Sequence, residues 1–377
     1  MPIQSRHGSY RKGNKMSLRE DSLLFLLGAG ASVDAGIKHA KEMTLDIEKK
    51  ICSDAEFKDF YELYNYLKSS IIYQRGLEGL FEDQSATIEE LLDVLSEINQ
   101  KHQNKLYPFI GGWNIHLLKV AGEEFEKVEK LDKQIRAQLF QWININNYDR
   151  ASYFRGFKEL VSDIGSAVRV FTLNYDICVE RALAGTEFSI ELGFNGDREW
   201  EASKFDANEN ADVGLYLYKL HGSIDWIRDS ANGNLLTLCD NPQPSPELIF
   251  GTAAKLSSID PYLFYVHELR KYSLNEALRF IVVVGYSFSD GYVNGLIGQA
   301  ITRSEYLKVL VVSPIFEDKD DLVPARVENE KSRIAAVLNI SEDRIIYENL
   351  TAKQFFEEKM NLAYFTDLSG AGDDDPF

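Results

Sequence analysis

The stretch SLLFLLGAGASVDAGI, residues 22–37, constrains the fold of this chain more than any other. Its short apolar run reads as a buried strand, the kind that lies inside a parallel sheet. The run breaks into Gly28, Ala29, Gly30, Ala31 and Ser32, with Gly36 a few residues on. Small residues between such a strand and a helix bring unshielded backbone N–H groups to a helix N-terminus. That is a site for the phosphates of a nucleotide. Gly28 and Gly30 permit a tight turn and close backbone approach, and Ser32 adds a hydroxyl donor. The dinucleotide fingerprint wants a glycine three residues after the second one, where this chain has Val33. A hydride-transfer enzyme is therefore disfavoured, and a glycine turn that only joins strand to helix stays open.

Three later segments change that balance. VRVFTLNYD (168–176) is a β-branched run ending in Thr172, Asn174 and Asp176. YLYKLHGSIDW (216–226) ends in His221, Gly222 and Ser223, and FIVVVGYSFSD (280–290) ends in Gly285, Ser287, Ser289 and Asp290. A last run, KVLVVSP (308–314), ends in Ser313. In an open parallel sheet the ligand lies beyond the carboxyl ends of the strands. Polar groups at all these ends would converge on the pocket that the glycine loop opens. The expected fold is α/β, Rossmann-like, with a mainly parallel sheet built from strands near 22–28, 168–173, 216–220, 280–285 and 308–313, and a large all-helical insertion.

That insertion is expected at 41–165. In TIEELLDVLSEIN (87–99) Ile88, Leu91, Leu92 and Leu95 fall on one helical face, and Thr87 with Glu90 makes a capping box. FKDFYELYNYLKSSIIY (57–73) is helical by period, its Phe and Tyr stripe suited to a core or a subunit contact. The stretches 197–213 and 228–246 read as polar, turn-rich loops beside the strand ends, where lids sit. Residues 1–19 read as a mobile N-terminal arm, 20–40 with 166–350 as the nucleotide domain, 351–369 as a C-terminal helical segment, and 370–377 as a disordered acidic tail.

Charge and composition exclude some roles. The chain has 59 Asp and Glu against 41 Lys and Arg, a net charge of −18, so direct nucleic-acid binding is disfavoured. A glycine loop still binds phosphate, because it works through backbone dipoles. No run of about 18 apolar residues exists to span a membrane. The basic N-terminus lacks an apolar core and does not read as a signal peptide. The three cysteines, Cys52, Cys178 and Cys239, fit a reducing compartment, and a bacterial cytoplasm is expected.

The GAGAS–AGI loop, the T-x-N-Y-D, K-L-H-G-S and G-Y-S-F-S-D strand ends and the last strand KVLVVSP together resemble the sirtuin-like (silent information regulator) family in order and spacing. The resemblance covers roughly 22–40 and 165–350. It lies with the NAD-hydrolysing effectors of bacterial antiphage defence, including those paired with a HerA-type ring ATPase. It implies NAD as substrate and cleavage of the bond between nicotinamide and ribose. Two departures matter. Protein-deacylating sirtuins hold a structural zinc with two Cys-x-x-Cys pairs, whereas these cysteines are too few and too scattered for any such site. Those sirtuins also follow the glycine loop with a proline and a Phe–Arg pair, where this chain has Lys38, His39 and Ala40. Hydrolysis or cyclisation of NAD is thus favoured over deacylation.

Heterolysis at a cationic nicotinamide leaves an oxocarbenium-like ribose, so the site must fix ribose and water, supply a base and stabilise positive charge. Asn174 can do the first with an amide that both donates and accepts. His221 suits a general base at neutral pH. Asp176 could stabilise charge or orient Asn174. By resemblance Asn174 and His221 match the family's two catalytic residues. The plainer alternatives are helix caps for Asn174 and Asp176 and a satisfied core histidine for His221. Gly28, Ala29, Gly30, Ala31, Ser32, Gly36, Thr172, Gly285, Ser287 and Ser313 are the candidate NAD-binding residues, the serines being equally able to serve as turn hydroxyls. His39, His102, His116 and His267 show no ligand spacing, and no metal is expected. An NAD glycohydrolase, regulated within a homo-oligomer, is the leading reading. A non-catalytic NAD or ADP-ribose-binding scaffold of an ATPase complex is the alternative.

Overall fold

The computed structural model describes residue 18 and residues 21–77, 86–103, 115–122, 124–206, 212–229, 235–243, 246–249, 260–315 and 322–369. The expected N-terminal arm, apart from Leu18, and the acidic tail lie outside the described residues.

The expected fold class is the observed one. Strands β1 (Leu23–Leu27), β2 (Val168–Thr172), β3 (Ser189–Glu191), β4 (Val213–Lys219), β7 (Phe280–Val284), β8 (Lys308–Val312) and β9 (Ile345–Glu348) form one sheet in the order β3-β4-β2-β1-β7-β8-β9. Every neighbouring pair is parallel. The chain winds from β1 to β2 and β4 on one side, then crosses to β7 on the other. The crevice at the carboxyl end of β1 is therefore the topological switch point, where ligands bind in folds of this kind.

Alternation along the strands divides the core into two layers. Leu23, Phe25 and Leu27 face one side with Val168, Val170, Leu215, Leu217, Phe280, Val282 and Val284. Leu24 and Leu26 face the other with Tyr216, Tyr218, Ile281, Val283, Val309 and Val311. The first side is covered by helices α1 (Ala40–Ser53), α2 (Tyr61–Leu77), α3 (Ile88–Asn99), α4 (Ile115–Ala121), α5 (Glu126–Ile143), α6 (Gly156–Ile164) and α7 (Cys178–Leu183). The C-terminal pair α11 (Ala352–Glu358) and α12 (Leu362–Leu368) packs there too, so these helices share one continuous cluster with the sheet. Helices α8 (Tyr262–Ser273), α9 (Gly291–Arg303) and α10 (Val323–Leu338) cover the other side.

The capping box of α3 is present, Thr87 and Glu90 satisfying each other's N–H, with Ile88, Leu91, Leu92 and Leu95 buried. Phe57, Phe60 and Tyr64 of the aromatic stripe are buried within the chain, while Tyr61 and Tyr73 stay exposed.

Three expectations are corrected. No α-helix follows the glycine loop directly: Ala29–Ser32 is a single 3-10 turn and α1 begins only at Ala40. Gly36 at φ +98° lies between them, a conformation no helix continues through. The stretch 228–246 is not all loop, because β5 (Trp226–Asp229) and β6 (Leu235–Leu238) pair as an antiparallel ribbon, Trp226 and Leu236 buried. The edge strands β3 and β9 were not expected, being short and half-exposed.

Candidate functional site

The glycine loop is held by the loop after β7. Gly28 N donates to Val284 O (2.9 Å), Gly30 N to Gly285 O (2.8 Å) and Ala31 N back to Gly28 O (2.9 Å). A Cβ on Gly30 would stand 2.7 Å from Gly285 Cα, and one on Gly285, at φ +62°, would stand 2.3 Å from Ala31 N. These glycines let two backbones interlock. Three N–H groups read as phosphate donors are thus engaged within the protein: two because β7 pairs beside β1 and ends in carbonyls that take them, the third by the loop's own turn. Ala29 and Gly36 remain on the exposed surface of the loop. The helical layer fastens its underside, Tyr153 Oη donating to Ala31 O at 2.6 Å.

Asn174 reaches into this loop from the neighbouring strand end. Its Nδ2 donates to Gly28 O (2.9 Å) and to Ser32 Oγ (3.1 Å). Its backbone N–H donates to Thr172 Oγ1 at 3.0 Å. Both amide hydrogens are therefore committed, which fixes the Oδ1 lone pairs in direction. Asn174 is not the helix cap. The N-cap of α7 is Ile177, and Asp176, one residue before it, accepts from Cys178 N through Oδ1 (2.9 Å). With its backbone oxygen also taken by Lys219 Nζ, Asp176 braces the turn that carries Asn174.

His221 sits at the end of β4, only 7% exposed. Neither ring nitrogen has a hydrogen-bond partner among the described residues, and both are shut off from solvent. A buried polar group left unpaired costs about 1–3 kcal/mol, so an orphaned imidazole calls for an explanation beyond packing. The nearest charge is Asp290, with Oδ2 3.6 Å from His221 Nε2. Strands β4 and β7 are three steps apart in the sheet, about 14 Å at the usual strand spacing of about 4.8 Å. The loop after β7 thus arches over the ends of β1 and β2 to bring Asp290 to His221.

Ser287 and Ser289 lie on the outside of that loop, their hydroxyls 3.0 Å apart and exposed. Ser313 ends β8, one strand beyond β7, its backbone N–H donating to Glu348 O at 3.2 Å. The structure thus brings Asn174, Ser32, Thr172 and the glycine loop together, sets His221 beside them across β2, and leaves Ser287 and Ser313 at the rim.

Sequence reasoning missed the support beneath. Lys219, 1% exposed, donates to Glu180 Oε1 (2.7 Å) and to the Asp176 carbonyl. Burial alone would lower the Lys219 pKa, but Glu180, then Asp225 and Asp176, raise it above the usual lysine value. Burial raises the Glu180 pKa by more than Lys219 lowers it. The signal was the lysine interrupting the apolar run YLYKLHG, where it ends β4. Among the described residues, no group of three His, Cys, Asp or Glu side chains could hold a metal ion, and no helix is long and apolar enough to cross a membrane.

Residues 168–335, from β2 into α10, match the family model of the SIR2-like domain. This stretch, which contains Asn174, His221 and Asp290, is similar to that domain family. No curated protein matches the chain. Among solved structures, a mutant Sir2 homologue in complex with 2′-O-acetyl ADP ribose is 14% identical at a TM-score of 0.39, covering 92% of each chain. A mutant Sir2 homologue in complex with ADP ribose is 11% identical at a TM-score of 0.40, covering 94% of each chain. Sir2Tm bound to a propionylated peptide is 14% identical at a TM-score of 0.35, with 90% of this chain and 91% of that chain covered.

Proposed function

We propose that the chain is an NAD glycohydrolase, cleaving NAD to nicotinamide and ADP-ribose in the crevice at the end of β1. The observation that carries this reading is the pairing, at one sheet end, of a buried unpartnered imidazole with an asparagine whose amide hydrogens are already committed. The SIR2-like match over the same residues supports it. With Nδ2 locked, Asn174 offers Oδ1 to a ribose hydroxyl or to water. The bond between the ribose anomeric carbon and the nicotinamide nitrogen breaks with its electron pair leaving on the nicotinamide, which departs neutral. Water adds to the oxocarbenium-like carbon as His221 takes its proton. A base of this kind is worth about 100- to 10,000-fold in rate. Ala29, Gly36, Ser287 and Ser313 are proposed to meet the phosphates and adenosine ribose, Gly28, Gly30, Ala31 and Gly285 to shape the loop beneath.

The wider role proposed is NAD depletion in bacterial antiphage defence, in the cytoplasm, within a homo-oligomer that docks a HerA-type ring ATPase. Since Phe57, Phe60 and Tyr64 are buried inside the chain, the surface proposed for oligomerisation narrows to exposed Tyr61, Tyr73 and Leu77 of α2 and Ile115 of α4. The test is chromatography of NAD incubated with the purified protein, with and without a candidate ATPase. Nicotinamide and ADP-ribose released together support the reading. NAD bound but intact under both conditions supports a scaffold instead.

A further inference from the structure

We propose that Asp290 is the positioning carboxylate of His221, a role that rests on the glycohydrolase reading. A neutral imidazole carries one N–H, and only the other nitrogen can act as a base. Which nitrogen that is depends on what the ring faces. Asp290 Oδ2 stands 3.6 Å from Nε2, and a carboxylate accepts but does not donate. It therefore selects the tautomer protonated at Nε2 and leaves the lone pair on Nδ1. Catalytic hydrogen bonds of this sort are long in the free enzyme and tighten around the substrate.

The carboxylate is held rigidly enough to do this. Its other oxygen, Oδ1, accepts from Tyr292 N (3.0 Å) and Val293 N (3.2 Å), capping α9. Its backbone N–H donates to Tyr286 Oη at 3.0 Å. Asn294 Nδ2 donates to Phe288 O at 2.8 Å, closing the loop from the helix side. Between these ties the buried Phe288 adopts φ +61°, a left-handed conformation that costs energy for a bulky residue. The strained turn directs Asp290 back over the sheet rather than out to solvent. Helix capping explains Oδ1. It does not explain why the same side chain is carried over two strands to an imidazole with no hydrogen-bond partner among the described residues.

The two roles separate chemically. Asparagine caps helices as well as aspartate does, so Asp290→Asn keeps the cap and removes the charge. Its amide can donate to Nε2 and stabilise the wrong tautomer. In Asp290→Asn, kcat falls about 100- to 10,000-fold, as for an orienting carboxylate behind a catalytic histidine, while KM and the melting temperature stay near the parent values. Asp290→Glu recovers part of kcat. The second readout is ring ¹⁵N NMR of the full-length protein labelled at histidine, with the His221 signal assigned by its loss in His221→Asn. The parent shows the Nε2–H tautomer and Asp290→Asn shifts it toward Nδ1–H. An Asp290→Asn protein with the parent tautomer and kcat within about threefold of the parent overturns the proposal. If the parent releases no nicotinamide, the glycohydrolase reading fails by itself, and an unchanged tautomer in Asp290→Asn would still refute Asp290 as its determinant.

Discussion

Replacing Lys219 by methionine isolates the buried ion pair beneath the site. Methionine fills much the same volume, so little cavity forms, but Glu180 loses the cation 2.7 Å away. Its side chain is 15% exposed, too little for water to substitute fully. Breaking one partner of such a pair costs about 3–5 kcal/mol. For a chain of 377 residues, at about 2.1 cal/mol/K per residue, that corresponds to a melting temperature lower by about 4–6 °C. The Asp176 carbonyl also loses its donor, so the turn carrying Asn174 loosens and NAD cleavage falls with stability. Circular dichroism melts of Lys219→Met, Glu180→Gln and the double variant give the coupling directly. The double variant, with neither charge, recovers most of the loss. A Lys219→Met protein that melts with the parent would refute the reasoning, since Glu180 would then tolerate burial alone.

Gly285→Ala places a Cβ 2.3 Å from Ala31 N at a positive φ, so it destabilises by more than about 1–3 kcal/mol in a urea titration and abolishes NAD binding by parting the two loops. Ser289→Ala, altering an exposed hydroxyl bonded only to Ser287 among the described residues, cleaves NAD within a few-fold of the parent. Burial raises the pKa of Tyr153, Tyr218, Tyr265 and Tyr286. The folded chain therefore keeps protons that the unfolded chain loses. Stability is full below about pH 10 and falls above it, and absorbance at 295 nm shows these phenols ionising only as the protein unfolds. Light scattering at micromolar concentration shows an oligomer that Tyr73→Asp weakens; a monomer under all conditions counts against the assembly.

The five central strands were legible because each is an apolar run buried on both faces, a pattern that packing permits for little else. The edges were not: Ser189–Glu191 and Ile345–Glu348 are short and half-exposed, and pairing rather than burial makes them strands. Asn174 and His221 could be picked out as polar residues ending buried runs. What they touch could not. That Gly28 and Gly30 give their N–H groups to the end of β7 depends on β7 lying beside β1, a fact of topology rather than local sequence. Asp290 read as one more polar strand end, because its approach to His221 requires a loop to arch over two other strands.

The central claim is that Asn174 and His221 together break the nicotinamide–ribose bond. The most direct measurement is the rate of nicotinamide release from NAD by the parent, Asn174→Ala and His221→Ala, each shown folded by its melting curve. Each variant is expected to lose at least about 100-fold, with the double variant little worse than either single one, because positioning and base act as a unit. Either single variant releasing nicotinamide within a few-fold of the parent would contradict the account.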